Sequence, residues 1–287
     1  MGNALWSIPI AAIPFTLIIG FIYGYACVYN PSEKLAILLA TGYGVLIGYL
    51  VSRAGKAAKC RSFLCMRLMG FIFGLFALYS GWAFFLYALL NRFSNGTANV
   101  SLIQLYLTPT AVWNLMININ RTGWFEMFHA PFNGTMLWLA WGCEALLIVG
   151  ITALMPPYMM KAWVFCEPCK KWCKEKNDIA RFGAPLPGDQ TNRLKAGDLT
   201  VLGELVFGDC GNIRLYSRQC ESCGKTDAIE IKRYWLAPTT NGGLSDTSEL
   251  LRSYILLDAN DLISLQNALA AQLASNPIPT ITPPKKV

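Results

Sequence analysis

The sequence predicts an α-helical membrane bundle of four transmembrane helices followed by a small α+β domain. Three observations carry that reading. Apolar residues make up 54% of the 287 and charged residues 14%, against about 25% charged in an ordinary soluble protein. The charges are unevenly spread: residues 1–160 hold eight Lys/Arg and three Asp/Glu, whereas 161–287 hold sixteen and fourteen. Two Cys-x-x-Cys pairs fall in the polar half, Cys166/Cys169 and Cys220/Cys223. The net charge of +7 divides as +5 in the apolar half and +2 in the polar half. A nucleic-acid binder concentrates basic charge on its soluble surface, so the expected partner is the lipid bilayer and not nucleic acid.

At the N-terminus, MGNALWSIPIAAIP has no charged segment ahead of its apolar run, which argues against a cleaved signal peptide. Trp6 occupies the Ser/Thr position of the myristoylation pattern, which argues against that anchor. Four stretches are then long and apolar enough to cross a bilayer: roughly Ile10–Tyr29, Leu35–Val51, Leu68–Leu90 and Phe132–Met155. The second is the shortest, near 26 Å at about 1.5 Å per residue.

Between the second and third spans lie Arg53, Lys56, Lys59, Arg61 and Arg67 with no acid, and Lys161, Lys170, Lys171, Lys174 and Lys176 follow the fourth. The positive-inside rule assigns both segments to the cytoplasm. An even number of spans must separate them, which puts both termini in the cytosol of a plasma, inner or endomembrane protein.

Leu102–Ile119 is a rival fifth span, but Gln104, Thr108, Pro109, Asn114 and Asn118 interrupt it. The pattern predicts an external interfacial helix near 109–122, with Thr108 as cap, Pro109 at the first position and Gly123 at the end. Val112, Leu115, Met116 and Ile119 form its apolar stripe, and Trp124, Phe125 and Phe128 supply anchors. The glycosylation-like patterns beginning at Asn95, Asn99, Asn120 and Asn133 are read as chance in an Asn- and Thr-rich loop. His129, the single histidine, has no second ligand nearby in sequence and is read as an interface residue.

Three spans carry Gly-x-x-x-Gly pairs: Gly20/Gly24, Gly44/Gly48 and Gly70/Gly74. Small residues four apart let helix backbones approach closely, either within one bundle or across a homo-oligomer. Glu144 falls in the middle of the fourth span, where an ionised carboxylate costs about 2.5 kcal/mol or more. It is expected as the neutral acid, bonded to a hydroxyl or amide of a neighbouring helix. A place in a proton or ion relay is the functional alternative.

In Cys166-Glu-Pro-Cys169 and Cys220-Glu-Ser-Cys223-Gly224, two thiols three positions apart in a tight turn face one point. Two such turns bring four thiolates around one tetrahedral zinc. From Phe165 to Leu236 the chain resembles the zinc-ribbon class of four-cysteine zinc-binding domains. That resemblance implies two knuckles clamping the end of an antiparallel sheet around a structural zinc. Iron suits the same all-sulfur site, and Cys173 and Cys210 are possible substitutes in the quartet. Reduced cysteines without metal and a thiol oxidoreductase are the competing readings, the latter lacking its βαβ context. DLTVLGELVFG (198–208) is expected to form a short helix or turn and a strand. NIRLYSRQC and DAIEIKRYWLA alternate as strands on either side of the second knuckle.

APTTNGGLSDTS (237–248) reads as a loop. After ELLRSYILLD, Asp258 caps a helix with Leu262, Leu265, Leu269 and Leu273 along one side. The expected domains are therefore a bundle at 1–160, a cytosolic zinc-ribbon-like α+β domain at 161–275, and a disordered Pro-rich tail at 276–287. The expected function is non-enzymatic, the display of that domain for protein contacts. A small transporter or channel using Glu144 is the alternative. An enzyme ranks third, since no nucleophile–base pair, open metal site or phosphate-cradling loop is visible.

Overall fold

A computed structural model of the chain describes residues 4–30, 33–93, 100–123, 126–127, 130–131, 133–182, 188–196, 198, 201, 213–223, 226–238 and 244–256. It divides into two compact units, Met1–Lys161 and Ala162–Val287. The fold is mostly helical, with four long apolar helices and several small strands. His129, Cys210, the segments at 94–99 and 202–212, and the Asp258 helix lie outside the described residues.

In the first unit the long helices are α1 (Ala4–Val28), α2 (Glu33–Ala57), α3 (Phe63–Phe93) and α6 (Gly134–Met160). Among the described residues these four are long and apolar enough to cross a membrane. Each extends beyond its expected bounds on at least one side. The second, expected to be minimal, runs 25 residues, or about 37 Å. It carries Ser52 by bonding that hydroxyl back to the Gly48 carbonyl at 2.6 Å.

α6 continues through Pro156 and Pro157, where the apolar run was expected to stop. Pro156 cannot donate to the carbonyl of Thr152, and a membrane interior offers no water to replace that bond. The Thr152 carbonyl instead lies directly against Gly70 of α3, closer than any side chain there would allow. The Thr152 hydroxyl donates to the Gly44 carbonyl of α2 at 3.2 Å. One fully buried threonine thus joins three helices.

All three glycine pairs meet other helices of the same chain. Gly44 and Gly48 face Ile148, Ile151, Thr152 and Met155, and Gly70 and Gly74 face Val149, Thr152 and Ala153. Gly20 and Gly24 face α3, and a β-carbon at Gly24 would stand 2.6 Å from the backbone nitrogen of Phe85. Arg92 donates to the Val28 carbonyl at 2.5 Å, satisfying the C-terminus of α1.

Between α3 and α6 the chain forms α4 (Leu102–Tyr106), α5 (Pro109–Thr122) and a short hairpin of β1 (Glu126–Met127) with β2 (Ala130–Pro131). Thr108 occupies the N-cap of α5 without capping it; its hydroxyl donates to the Gln104 carbonyl at 2.7 Å. Val112 and Met116 are buried in a cluster with Ala83 and Leu86 of α3 and Leu137 and Trp141 of α6. The apolar stripe of α5 is therefore largely taken up by the bundle, while Trp113 faces outward at 52% exposure. Asn120 is buried and donates to the Gly134 carbonyl at 2.7 Å, a packing role for an amide first counted with the glycosylation-like patterns.

In the second unit β3 (Phe165–Cys166) pairs with β4 (Lys171–Trp172). A four-stranded antiparallel meander follows in the order β5 (Lys174–Phe182), β6 (Ile213–Gln219), β7 (Thr226–Pro238), β8 (Leu244–Leu256). β8 corrects the loop expected over 237–248, since Leu244–Ser248 pair with Tyr234–Pro238 of β7. The helix α7 (Gly188–Ala196) was not anticipated; it is polar apart from fully buried Leu194.

Alternation on β6 and β7 divides the sheet into two faces. Ile213, Leu215, Ile229 and Ile231 on one face are fully buried. On the other, Arg214 lies 4.4 Å from the centre of the Tyr234 ring, Lys232 lies 4.8 Å from that of Tyr216, and the two tyrosine hydroxyls are 2.7 Å apart. Glu230, on this polar face, is 6% exposed and pairs with Lys232 at 3.5 Å.

Candidate metal centre

The two cysteine pairs occupy two turns. Cys166 ends β3 opposite Lys171, so Glu167–Lys170 form the turn of that hairpin. Cys220 follows β6 directly, and the second turn leads into β7. The sulfurs of Cys166, Cys169, Cys220 and Cys223 all lie within 4.8 Å of one another. The Cys166 and Cys223 sulfurs are 3.7 Å apart. That is far beyond the roughly 2.05 Å of a disulfide. It matches the separation of about 3.8 Å between sulfurs that each stand about 2.3 Å from one tetrahedral metal. The donor set therefore fits a metal ion, and its all-sulfur chemistry suits zinc or iron.

Local backbone prepares the thiolates. The Cys220 sulfur accepts hydrogen bonds from the backbone N–H groups of Cys223 and Ser222, which pull its pKa down to about 7. At Cys166 the Cys169 N–H acts in the same sense, but burial and the crowd of neighbouring sulfurs prevail and push the thiol up to about 12. Four thiols this close cannot all ionise without a cation between them. Lys171 donates to the Ser222 hydroxyl at 2.9 Å, tying the first turn to the second. Lys174 pairs with Glu221 at 2.7 Å on the surface.

The first turn closes with Lys170 at φ 50°. The second has Gly224 in the corresponding place in the sequence. Cys173 is buried beside Cys166 and Cys220, and its backbone N–H donates to the Val164 carbonyl at 2.8 Å. Its sulfur is not among the converging four. Sequence reasoning missed Lys171, Ser222 and the unusual backbone of Lys170. The signal was faint: a lysine stands where the second turn carries glycine.

Glu144 lies elsewhere, within α6. The Tyr23 hydroxyl of α1 donates to its carboxyl at 2.5 Å, and the Trp82 indole of α3 is also within hydrogen-bonding reach. The Tyr23 ring stacks on Tyr43 of α2, centroids 4.3 Å apart, and the Tyr43 hydroxyl donates to the Ala77 carbonyl at 2.9 Å. Tyr106 of α4 reaches Ser80 of α3 at 2.8 Å. Tyrosines placed inside otherwise apolar spans were the available signal for these partners.

No protein family, curated protein or solved structure matches the chain.

Proposed function

We propose that this is an integral membrane protein whose second unit is a cytosolic, zinc-ribbon-like domain, held by a structural zinc and presented for contact with other proteins. The observation that carries this reading is the convergence of four cysteine sulfurs from two turns, within 4.8 Å of one another. A shell closed by four protein ligands leaves no coordination position for a reacting water. The metal therefore supports a shape and does not perform a reaction. The positive-inside rule supports the cytosolic placement, through Arg53, Lys56, Lys59, Arg61 and Arg67 on one segment and Lys161, Lys170, Lys171, Lys174 and Lys176 on the other. It also supports α5 as an element of the outer face, with Trp113 turned toward the interface.

Elemental analysis of the purified full chain tests the site: one zinc per chain is expected, absent from the Cys169→Ser/Cys223→Ser variant. A coloured, iron-containing protein would replace the zinc assignment with iron. Capture of binding partners with and without a chelator tests the display role. Partners that stay bound after the metal is removed would defeat it.

A second reading rests on the part-buried Tyr23–Glu144 pair. Intramembrane carboxyls of this kind serve transport pathways as well as helix packing. Here the bundle would be a small transporter or channel with Glu144 in its path. Flux in reconstituted vesicles that is abolished by Glu144→Gln, with the fold intact, would favour this reading over the first.

A further inference from the structure

A groove of about 700 Å³ opens on the first unit, and Glu144 is not part of its lining. Its wall is apolar for most of its length, formed by Val45 of α2 and Ile151 and Leu154 of α6. At one end stand two cations, Arg67 near the start of α3 and Lys161 just past the end of α6. Both are exposed, and among the described residues neither is ion-paired.

The dimensions match one leaflet. From Ile151 to Lys161 is ten residues, or about 15 Å of helix. That is half of a hydrocarbon core of about 30 Å. Lys161 therefore sits at headgroup depth when the apolar wall lies at acyl depth, and Tyr158 beside it, 71% exposed, suits the same level. Arg67 starts about one turn deeper, since Gly70 meets Thr152 and Ala153, and its long side chain can carry the guanidinium to the same level. A zwitterionic headgroup would leave two positive charges facing its own cation. A headgroup of net negative charge brings no cation of its own and offsets one of the two positive charges.

We propose that this groove binds one anionic phospholipid, with its phosphate on Arg67 and Lys161 and an acyl chain along Val45, Ile151 and Leu154. The proposal is independent of the metal centre and of the role given to the second unit. It assigns the basic end of the groove to the leaflet that is rich in anionic lipid.

Native mass spectrometry of the full chain in neutral detergent tests it, with phosphatidylglycerol, phosphatidylcholine and inorganic phosphate as separate probes. One phosphatidylglycerol per chain is expected to bind in preference to phosphatidylcholine, without competition from millimolar phosphate. Arg67→Gln/Lys161→Gln should weaken phosphatidylglycerol roughly 30-fold, as two surface cations imply. Arg53→Gln, outside the lining, should not. Leu154→Trp narrows the apolar wall and leaves both charges in place, so it should also weaken the lipid; it decides the matter should the double variant misfold. Equal binding of the two lipids, displacement by phosphate, or equal losses in the Arg53 and Arg67/Lys161 variants would each overturn the proposal.

Discussion

The two units meet the same difficulty with opposite chemistry. In the first, large apolar side chains such as Ile22, Leu38, Leu139 and Leu146 point outward, and lipid gives helices no hydrophobic reason to associate. Cohesion comes from backbone contact, as where Gly24 meets Phe85 and Gly70 meets Thr152. In the second unit the fully buried apolar residues described on β6 and β7 are Ile213, Leu215, Ala228, Ile229 and Ile231. In the same unit four sulfurs converge where a metal ion would fit as a staple. Close backbone approach joins the elements of one unit, and a cysteine tetrad suited to a metal joins the two turns of the other.

The largest effect should come from breaking the staple. Cys169→Ser/Cys223→Ser removes two of the four thiolates, and structural zinc supplies on the order of 10 kcal/mol of folding free energy. Hydrogen exchange on the full chain should lose protection across β6 and β7 while α1, α2, α3 and α6 keep theirs. Protection that survives in the sheet would mean that the apolar face suffices. Each thiolate must shed a proton before it binds, so metal retention should weaken as the pH falls.

The bundle has its own weak point. Gly70→Val places a side chain where the freed Thr152 carbonyl already lies, and overpacking of this kind costs about 3 kcal/mol. Gly142, where an added β-carbon meets nothing, is the control. Thermal unfolding in detergent should fall for the first and stay level for Gly142→Ala. Equal behaviour would mean that close backbone approach is not what joins these helices.

How much of this was readable in the sequence follows the same division. The spans were legible because twenty apolar residues in a row admit few alternatives. Their ends were not, since Ser52 and Pro156 are accommodated by bonds and contacts invisible to composition. The cysteine pairs were legible from spacing. That spacing also named the four that converge, whereas the exclusion of Cys173, buried in the same cluster, is visible only in the fold. β8 was obscured by its loop-like start: Leu244–Ser248 become strand through pairing with β7, a tertiary contact that overrides local preference. The alternation on β7 was correct, while the burial of Glu230 depends on Lys232 and on Tyr216 of β6, its direct cross-strand partner on the same face.

A smaller effect concerns the intramembrane carboxyl of Glu144. Tyr23→Phe removes the hydroxyl that Glu144 accepts from, and polar contacts between membrane helices are worth about 1 kcal/mol. Glu144→Gln keeps an acceptor for Tyr23 and should cost less. If both variants unfold at the wild-type temperature, Glu144 contributes nothing to packing, and the transport reading gains.

The smallest effect distinguishes the two turns of the metal centre. Lys170 holds φ at 50°, a left-handed backbone that costs a side-chain-bearing residue about 1–2 kcal/mol. Glycine removes that strain but loses about 0.5–1 kcal/mol of chain entropy on folding. Lys170→Gly should therefore stabilise the second unit by about 0.5–1 kcal/mol. The lost charge counts for little, because Lys170 is exposed and screened. Lys170→Asn tolerates the left-handed region without the charge, and Lys170→Ala removes the charge while keeping the strain. The order Gly above Asn above Ala in resistance to chelator-induced unfolding is expected if backbone strain governs this turn. An equal loss in all three variants relative to wild type would assign the role to the lysine charge beside the thiolates.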